Sequence, residues 1–434
     1  MSSVETLGAL ERRLNAVIPQ QQLRGEIEAR LKRLGRTAKL HGFRPGKVPF
    51  NIVQQQYGAQ VHQEVLGDAL QRSFVEAAQA NSLNVAGRPS FEVKTADLAA
   101  EQIEYSATFE IYPEVVLGDI GAESVERATY ILSDADIDNT ITTLRKQRAV
   151  FEPTSRAAQV EDQVRMDFSG KLNGVAFEGG EAKDFAVVLG AGRMLPDFEA
   201  AIIGMKTGET KSFDMTFPED YHGKDVAGKQ VTFTITLHEV GMPRLPELDV
   251  EFAKALGVEE GDITKLKAEI RKNLVREVER RLRARNKSNA MDLLLKVSKF
   301  EVPKALVDSE VQNLIQQSIR DMRERGVKIP QGASLPPEMF TERAQKRVKL
   351  GLIMADLIKQ QSIEAKPEQV KALVQDYAQG FEQPEEVVKW HYSDPSRLQE
   401  LKNMVLEDNV VAWVFGASRV TDKVMEFNEL MGKD

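Results

Sequence analysis

The sequence predicts a multidomain α+β protein with an α+β N-terminal part, a small β-rich part and an extended α-helical C-terminal part. Three observations carry this reading. Helical spacing and strand alternation are mixed within residues 1–115. Short alternating segments separated by glycines and turns fill 151–245, together with eight of the chain's nineteen Phe. From Pro246 onward, through 246–434, apolar residues recur almost only at helical spacing, interrupted by prolines. A chain of 434 residues has room for about three domains of ordinary size.

In the first part, Leu23, Ile27, Leu31 and Leu34 recur at spacings of 4, 4 and 3, which predicts an amphipathic helix. Glu26–Arg30 and Glu28–Lys32 stand one turn apart with the acid first, the favourable orientation for an ion pair. Leu66, Leu70 and Phe74 mark a second helix. Tyr105, Ala107, Phe109 and Ile111 alternate with polar residues, so 104–111 reads as a strand ended by Pro113. Between the helices stands Gly42-Phe43-Arg44-Pro45-Gly46-Lys47-Val48-Pro49. Its glycines and prolines cannot continue a helix, so an aromatic and two cations sit on a constrained loop. Such a loop is either a docking element or a tight connector whose Phe43 tucks into the core. Residues 1–60 carry ten Lys and Arg against four acids, a net of +6 in a chain of net −8. One basic end on an acidic chain suggests a polyanionic partner; the alternative is an ordinary solvated helix face.

Residues 116–150 hold an acidic linker and a helix. Ser133 and Asp136 have the spacing of a capping pair, and Ile137, Ile141 and Leu144 form an apolar stripe expected to pack on the C-terminal helices. The β-rich part, 151–245, is bounded by Pro153 on one side and by Pro243 and Pro246 on the other, as expected of an insertion. Its segments Val164–Phe168 and Val231–Ile235 alternate as strands do. Beyond it, Asp262 is a helix cap, followed by Ile263, Leu266, Ile270, Leu274, Val278 and Leu282 at spacings of 3, 4, 4, 4 and 4. Continued to Ser298, this helix would be about 55 Å long. Pro303, Pro330, Pro336, Pro337, Pro367, Pro384 and Pro395 divide the remainder into further helices. Met322, Met339, Met354, Met404, Met425 and Met431 lie in or beside apolar stretches and are expected in the core.

Much chemistry is excluded. The absence of Cys removes disulfides, thiolate metal sites and cysteine nucleophiles, and fits a cytoplasmic location. Five scattered histidines form no metal motif. Gly190-Ala191-Gly192 begins like a dinucleotide loop, but Leu195 stands where the third glycine belongs. Gly204-Met205-Lys206-Thr207-Gly208 lacks the Gly-Lys-Ser/Thr of a phosphate-binding loop. No nucleophile elbow is found and no carboxylates are paired as acid and base. The expectation is a function that needs no ATP, metal, cofactor or covalent intermediate. No run of about 20 apolar residues occurs, so no membrane partner is expected, and the first residues lack a secretory pattern.

Five motifs of the β-rich part stand in a telling order: Asp167-Phe168-Ser169-Gly170, Phe177-Glu178-Gly179-Gly180, Phe185-Ala186-Val187-Val188-Leu189-Gly190, Met194-Leu195-Pro196-Asp197-Phe198 and Phe217-Pro218-Glu219-Asp220-Tyr221. In order and spacing they resemble an FKBP-type prolyl isomerase over about 85 residues. The resemblance implies peptidyl-prolyl cis-trans isomerase activity in a pocket formed by Phe168, Phe177, Phe185, Met194, Leu195, Phe198, Tyr221 and Phe233. Two departures from the pattern stand out. Phe198 occupies a position where many members carry Trp, and the stretch after Tyr221 is short.

The whole chain is similar, end to end, to the bacterial trigger factor family. The likeness runs from the Gly42–Pro49 motif through the isomerase part to the helical region ending Phe427-Asn428-Glu429-Leu430-Met431. The first motif fits that family's ribosome-docking signature, Gly-Phe-Arg-x-Gly-x-x-Pro, with Pro45 at the variable position where Lys is common. By resemblance, Gly42, Phe43, Arg44, Gly46 and Lys47 dock the chain on ribosomal RNA and protein beside the polypeptide exit tunnel. The isomerase is inserted at one end of a chaperone body whose C-terminal helices cradle nascent and unfolded polypeptides, and homodimerisation of the free chain is left open. The competing reading is a free folding catalyst whose helices only collect substrates. An inactive scaffold is disfavoured by the near-complete set of pocket aromatics.

Overall fold

The computed structural model describes residues 2–38, 43, 48–95, 101–221, 223–327, 330 and 334–432. Its contacts divide the chain into two units, one of Met1–Ala128 with Arg283–Lys423, the other of Thr129–Leu282 with Val424–Asp434.

The first unit opens with β1 (Ser3–Thr6), β2 (Glu11–Pro19), α1 (Gln20–Thr37), α2 (Phe50–Ala80), β3 (Val85–Val93) and β4 (Gln102–Ile111). The strands form an antiparallel sheet in the order β1-β2-β4-β3. Leu14 lies opposite Ala107, Ala16 opposite Tyr105 and Ile18 opposite Ile103. Strand alternation puts all six side chains on one face, which α1 and α2 cover with Leu23, Leu31, Val61, Val65, Leu70 and Phe74. Phe74 meets Phe109 edge-on at 5.0 Å.

Two expectations change here. The second helix begins at Phe50, well before Leu66. Glu28 pairs with Lys32 as its spacing predicts, but Glu26 and Arg30 do not pair with each other. Glu26 joins Arg72, and Arg30 reaches Glu64 at 3.0 Å and Asp68 at 3.1 Å, all on α2. Two carboxylates converging from the neighbouring helix give Arg30 more contact than one glutamate on its own turn. These pairs are exposed, so each contributes little to stability.

Next come β5 (Ser124–Thr129), α3 (Asp134–Gln147), β6 (Val150–Pro153), β7 (Gln163–Leu172), β8 (Val175–Val188), α4 (Pro196–Ile202), β9 (Thr210–Thr216) and β10 (Gln230–Arg244). The capping box of α3 forms. The Ser133 hydroxyl accepts from the Asp136 backbone, and Asp136 accepts from the Ser133 backbone. Such a cap is worth about 1 kcal/mol. Burial opposes the Asp136 charge, but hydrogen bonds from Ser133 and Tyr130 outweigh it and hold the carboxyl below its ordinary range. Burial, with the same carboxylate beside it, pushes the Tyr130 hydroxyl up to about 12.

The second sheet runs β6-β10-β7-β8, with β9 also on β10, and all pairs are antiparallel. Val150 lies opposite Arg244 and Pro153 opposite Gly241, so the strands by which the chain arrives and leaves are bonded neighbours. Val164, Met166, Val231, Ile235, Leu237 and Val240 are fully buried between the sheet and α4 and its flanking loops.

The rest is helical: α5 (Val250–Ala255), α6 (Ile263–Val297), α7 (Lys304–Glu324), α8 (Glu338–Gln360), α9 (Pro367–Ala378), α10 (Pro384–Tyr392) and α11 (Pro395–Ala417), followed by β11 (Arg419–Val424), which pairs with β5, and α12 (Phe427–Met431). The α3 stripe of Ile137 and Ile141 packs on Phe252 and Ala253 of α5 and on Leu266 and Ile270 of α6.

Helix α6 starts where Asp262 accepts from the backbone of Thr264 at 2.7 Å. Those N–H bonds hold the Asp262 carboxyl below its ordinary range. With 35 residues it is about 52 Å long. At its far end Lys349 donates to the carbonyls of Leu295 and Ser298 at 3.5 and 3.1 Å, a cation where the helix dipole is negative. Prolines start the later helices as expected. Pro303 and Pro337 are caps, and Pro367, Pro384 and Pro395 open α9, α10 and α11. The first turn of α7 is completed by Glu110 of β4, which accepts from the backbones of Lys304 and Ala305 at 3.0 and 2.7 Å.

The methionines divide. Met425 and Met431 are buried and Met354 half-buried, whereas Met322, Met339 and Met404 are 37%, 74% and 50% exposed. The core expectation fails for these last three because α7 and α8 meet through Val307, Val311, Leu314, Ile315 and Ala344. Likewise α9 and α11 meet through Val370, Val374, Leu401 and Val405, and the Met side chains are left outside these seams. Among the described residues no helix is long and apolar enough to cross a membrane.

Candidate active site

The eight aromatic and apolar residues of the expected pocket come from six segments and join one cluster. Strand β7 contributes Phe168, and β8 contributes Phe177 and Phe185. The loop after β8 contributes Met194 and Leu195. Helix α4 carries Phe198, the segment after β9 carries Tyr221, and β10 carries Phe233. Phe198 and Phe233 form the floor, 2% and 4% exposed; the other six are half-buried around them. Phe198 meets Phe168 at 5.5 Å, Phe213 at 5.7 Å and Phe233 at 5.2 Å, each near perpendicular. Phe185 meets Phe168 at 5.6 Å, and Phe177 meets Phe233 at 6.3 Å. Edge-to-face rings of this kind favour one arrangement over a fluid one.

Two motif glycines make room for these rings. A methyl group at Gly170 would stand 2.5 Å from Phe233, and one at Gly180 would stand 2.8 Å from Phe177. Phe213 and Phe217 belong to the cluster but were not assigned to the pocket. Tyr221 reaches it through Phe217, ring to ring at 4.6 Å. The alternation of Phe213, Met215 and Phe217 is the signal that places them on the core side.

The polar groups nearest the cluster face elsewhere. Asp167 precedes Phe168 on β7, so its side chain lies on the opposite face of the sheet. There it accepts from the Asp184 backbone at 2.7 Å and contacts His238 at 3.1 Å. These two bonds, the Asp184 N–H first, hold its carboxyl below the ordinary range. Two cavities of about 830 and 870 Å³ flank α3 and share none of the eight assigned residues. Among the described residues no three metal-ligating side chains converge. The cluster itself offers an apolar, aromatic surface with the Tyr221 hydroxyl at its rim. It can grip a small apolar ring and exclude water, and it presents no acid–base pair.

Of the N-terminal docking residues, Phe43 is 39% exposed. This disfavours the connector reading in which it tucks into the core. Gly42, Arg44, Gly46 and Lys47 lie outside the described residues.

Comparison with known proteins covers nearly the whole chain. Residues 1–144 match the family model of bacterial trigger factor protein, and 262–416 match that of its C-terminus. Residues 154–238 match FKBP-type peptidyl-prolyl cis-trans isomerase. The trigger factor of Nitrosospira multiformis is 50% identical over 433 residues, covering 100% of this chain and 99% of that one. The trigger factor of Herminiimonas arsenicoxydans is 48% identical over 444 residues, with coverage of 100% and 99%. That of Burkholderia mallei is 48% identical over 438 residues, covering 98% of each. A solved structure from work on promiscuous substrate recognition by the trigger factor chaperone aligns over 95% of this chain and 98% of its own. Its identity is 19% and its TM-score 0.45, a distant likeness. With full-length identity near one half and an isomerase segment lying between the two matched ends, the chain belongs to the bacterial trigger factor family.

Proposed function

We propose that this chaperone with prolyl isomerase activity works in the cytoplasm at the ribosome, beside the polypeptide exit tunnel, without ATP. Its helices would hold nascent chains while the cluster around Phe198 turns their X–Pro bonds. The domains proposed for these tasks are 1–115 for docking, 151–245 for isomerisation and 246–434 for holding, with 116–150 as the linker and the helix joined to the last. The observation that carries the isomerase assignment is the convergence of eight residues from six segments on one aromatic floor.

The chemistry needs little else. Rotation about the amide bond is opposed by resonance, a barrier of ~18–20 kcal/mol. The twisted transition state has lost that conjugation and is less polar at nitrogen. An apolar pocket that holds the proline ring and replaces water therefore binds the twisted form better than the planar one. Proton transfer has no part in this step.

Phe198→Ala tests the pocket. A folded variant, checked by circular dichroism, should catalyse proline-limited refolding of a model substrate far more slowly than the parent. Equal catalysis would move the active site elsewhere. Docking is assigned to Gly42, Phe43, Arg44, Gly46 and Lys47, on the strength of an exposed aromatic in a segment of net +6. Replacing Phe43 and Arg44 by Ala should reduce ribosome co-sedimentation. Binding of the parent should weaken with salt as counterions compete for phosphate. Salt-independent binding, or binding unchanged in the folded variant, would move docking away from this loop, and failure of the parent to co-sediment would favour a catalyst that acts free of the ribosome. Whether the free chain dimerises is read by sedimentation equilibrium.

A further inference from the structure

Glu199 is the most unusual polar side chain near the aromatic cluster. It follows Phe198 on α4 and is only 9% exposed. One carboxylate oxygen, Oε2, accepts from the Gly190 backbone at 2.8 Å. The other, Oε1, is buried without a partner. No ion pair joins this carboxylate among the described residues, so its burial is costly and calls for a role.

Its contacts supply one. Gly190 begins the loop that ends at Leu195, and this loop carries Met194 and Leu195 into the cluster. Glu199 holds both ends of it. Its carboxylate takes the Gly190 N–H, and its own backbone N–H donates to the Leu195 carbonyl at 3.1 Å. Leu189, just past the end of β8 and before the loop, is fixed separately. Leu189 exchanges backbone bonds with Glu161 and Asp162, at 2.8 and 2.9 Å, and buried Asp162 is gripped by Arg156 at 2.6 and 2.7 Å. The Glu199 carboxylate is thus the tie between the loop's first residue and the helix that bears the pocket floor.

We infer that Glu199 is a positioning residue for prolyl isomerisation, setting the 190–195 loop so that Met194 and Leu195 wall the pocket over Phe198. This rests on the pocket assignment proposed above.

The test uses the full chain and three substitutions. Glu199→Ala removes the acceptor. Glu199→Asp keeps the charge but shortens its reach. Glu199→Gln keeps an acceptor oxygen at full length. The Ala and Asp variants should isomerise about tenfold more slowly, the scale of effect expected when a positioning bond is lost. Their Gly190 amide should exchange its proton faster by NMR. Melting should not fall in step for Glu199→Ala, because the same change removes a buried, unpartnered oxygen. Glu199→Gln should retain most activity and a protected Gly190 amide. A folded Ala or Asp variant with parental activity would overturn the inference, as would a Gln variant that falls as far as Ala. If Glu199→Ala does not fold, the Asp and Gln variants decide on the same readouts. The pocket reading fails separately: it falls if Phe198→Ala is fully active, whereas a fault at Glu199 alone leaves it standing.

Discussion

The β-rich sheet and the helices α9 to α11 use aromatic side chains in opposite ways. In and around the sheet, Phe198, Phe217 and Phe233 are each at most 6% exposed and lie within ring contact of their neighbours. Along the helices Tyr377, Trp390 and Tyr392 are 52%, 53% and 49% exposed, and Phe381, just past α9, is 48% exposed. Rings enclosed by rings keep one arrangement and so define a shape. The half-exposed rings touch on one side only, Tyr377 meeting Phe381 and His391 at 5.3 and 5.4 Å, and turn the rest of their apolar area to solvent. The first suits one recurring group, the proline ring. The second suits segments of many sequences held weakly. On the function proposed above, one chain would carry a shaped site and an unshaped one.

Removing residues 151–245 and joining the ends with a short flexible link breaks the comparison most completely. Catalysis of proline-limited refolding should disappear. Suppression of aggregation should persist, read by light scattering as a denatured client is diluted with matched molar amounts of each protein. If the monodisperse variant gave no protection and the isolated sheet gave full protection, holding would belong to the sheet.

A smaller change sharpens the shaped side. Gly170→Ala places a methyl group against the Phe233 ring, and overpacking of this kind costs about 1–3 kcal/mol. Urea unfolding should show that loss together with slower isomerisation. An unmoved midpoint would mean that Phe233 shifts aside freely and that the rings are less constrained than their contacts imply.

The smallest effect on stability is expected on the unshaped side. Trp390 lies under the Arg397 guanidinium at 3.8 Å and meets the His391 ring edge-on at 4.9 Å, with about half of its surface exposed. Trp390→Ala should cost less than about 1 kcal/mol. It should weaken aggregation suppression and leave isomerisation intact. A large loss of stability would show that the exposed rings are structural after all.

Local patterns in the sequence were legible where one element supplies all the information. The spacing from Ile263 to Leu282, with Asp262 before it, describes α6 closely, and Ser133 with Asp136 marks the start of α3. The pocket aromatics were legible through their order along the chain rather than through any spacing rule. What escaped depends on distant partners. The first half of α2, with its Gln54-Gln55-Gln56 run and Gly58, shows little apolar period, and its burial through Val53 and Val61 exists only against α1 and the sheet. Arg30 found its carboxylates on α2, beyond the reach of a one-turn rule. Glu199 looks like any acid on a short helix, and only the fold brings Gly190 to it. The exposed Met322, Met339 and Met404 fit the same spacing as buried ones, because periodicity does not say which face finds a partner.

The pairing of β6 with β10 has a mechanical side. Val150 and Arg244, where the chain passes into and out of the sheet, sit directly opposite each other. Antiparallel hydrogen bonds run perpendicular to the strands. Tension drawing these two residues apart would act along the bonds and open them one after another, as a zip opens, instead of loading them all at once. The sheet should yield at low force when pulled through these two residues and resist better when pulled along its strands. A chaperone tugged by a moving client would then have a soft joint at this seam, and once the tension fell the pair would close again from its anchored end.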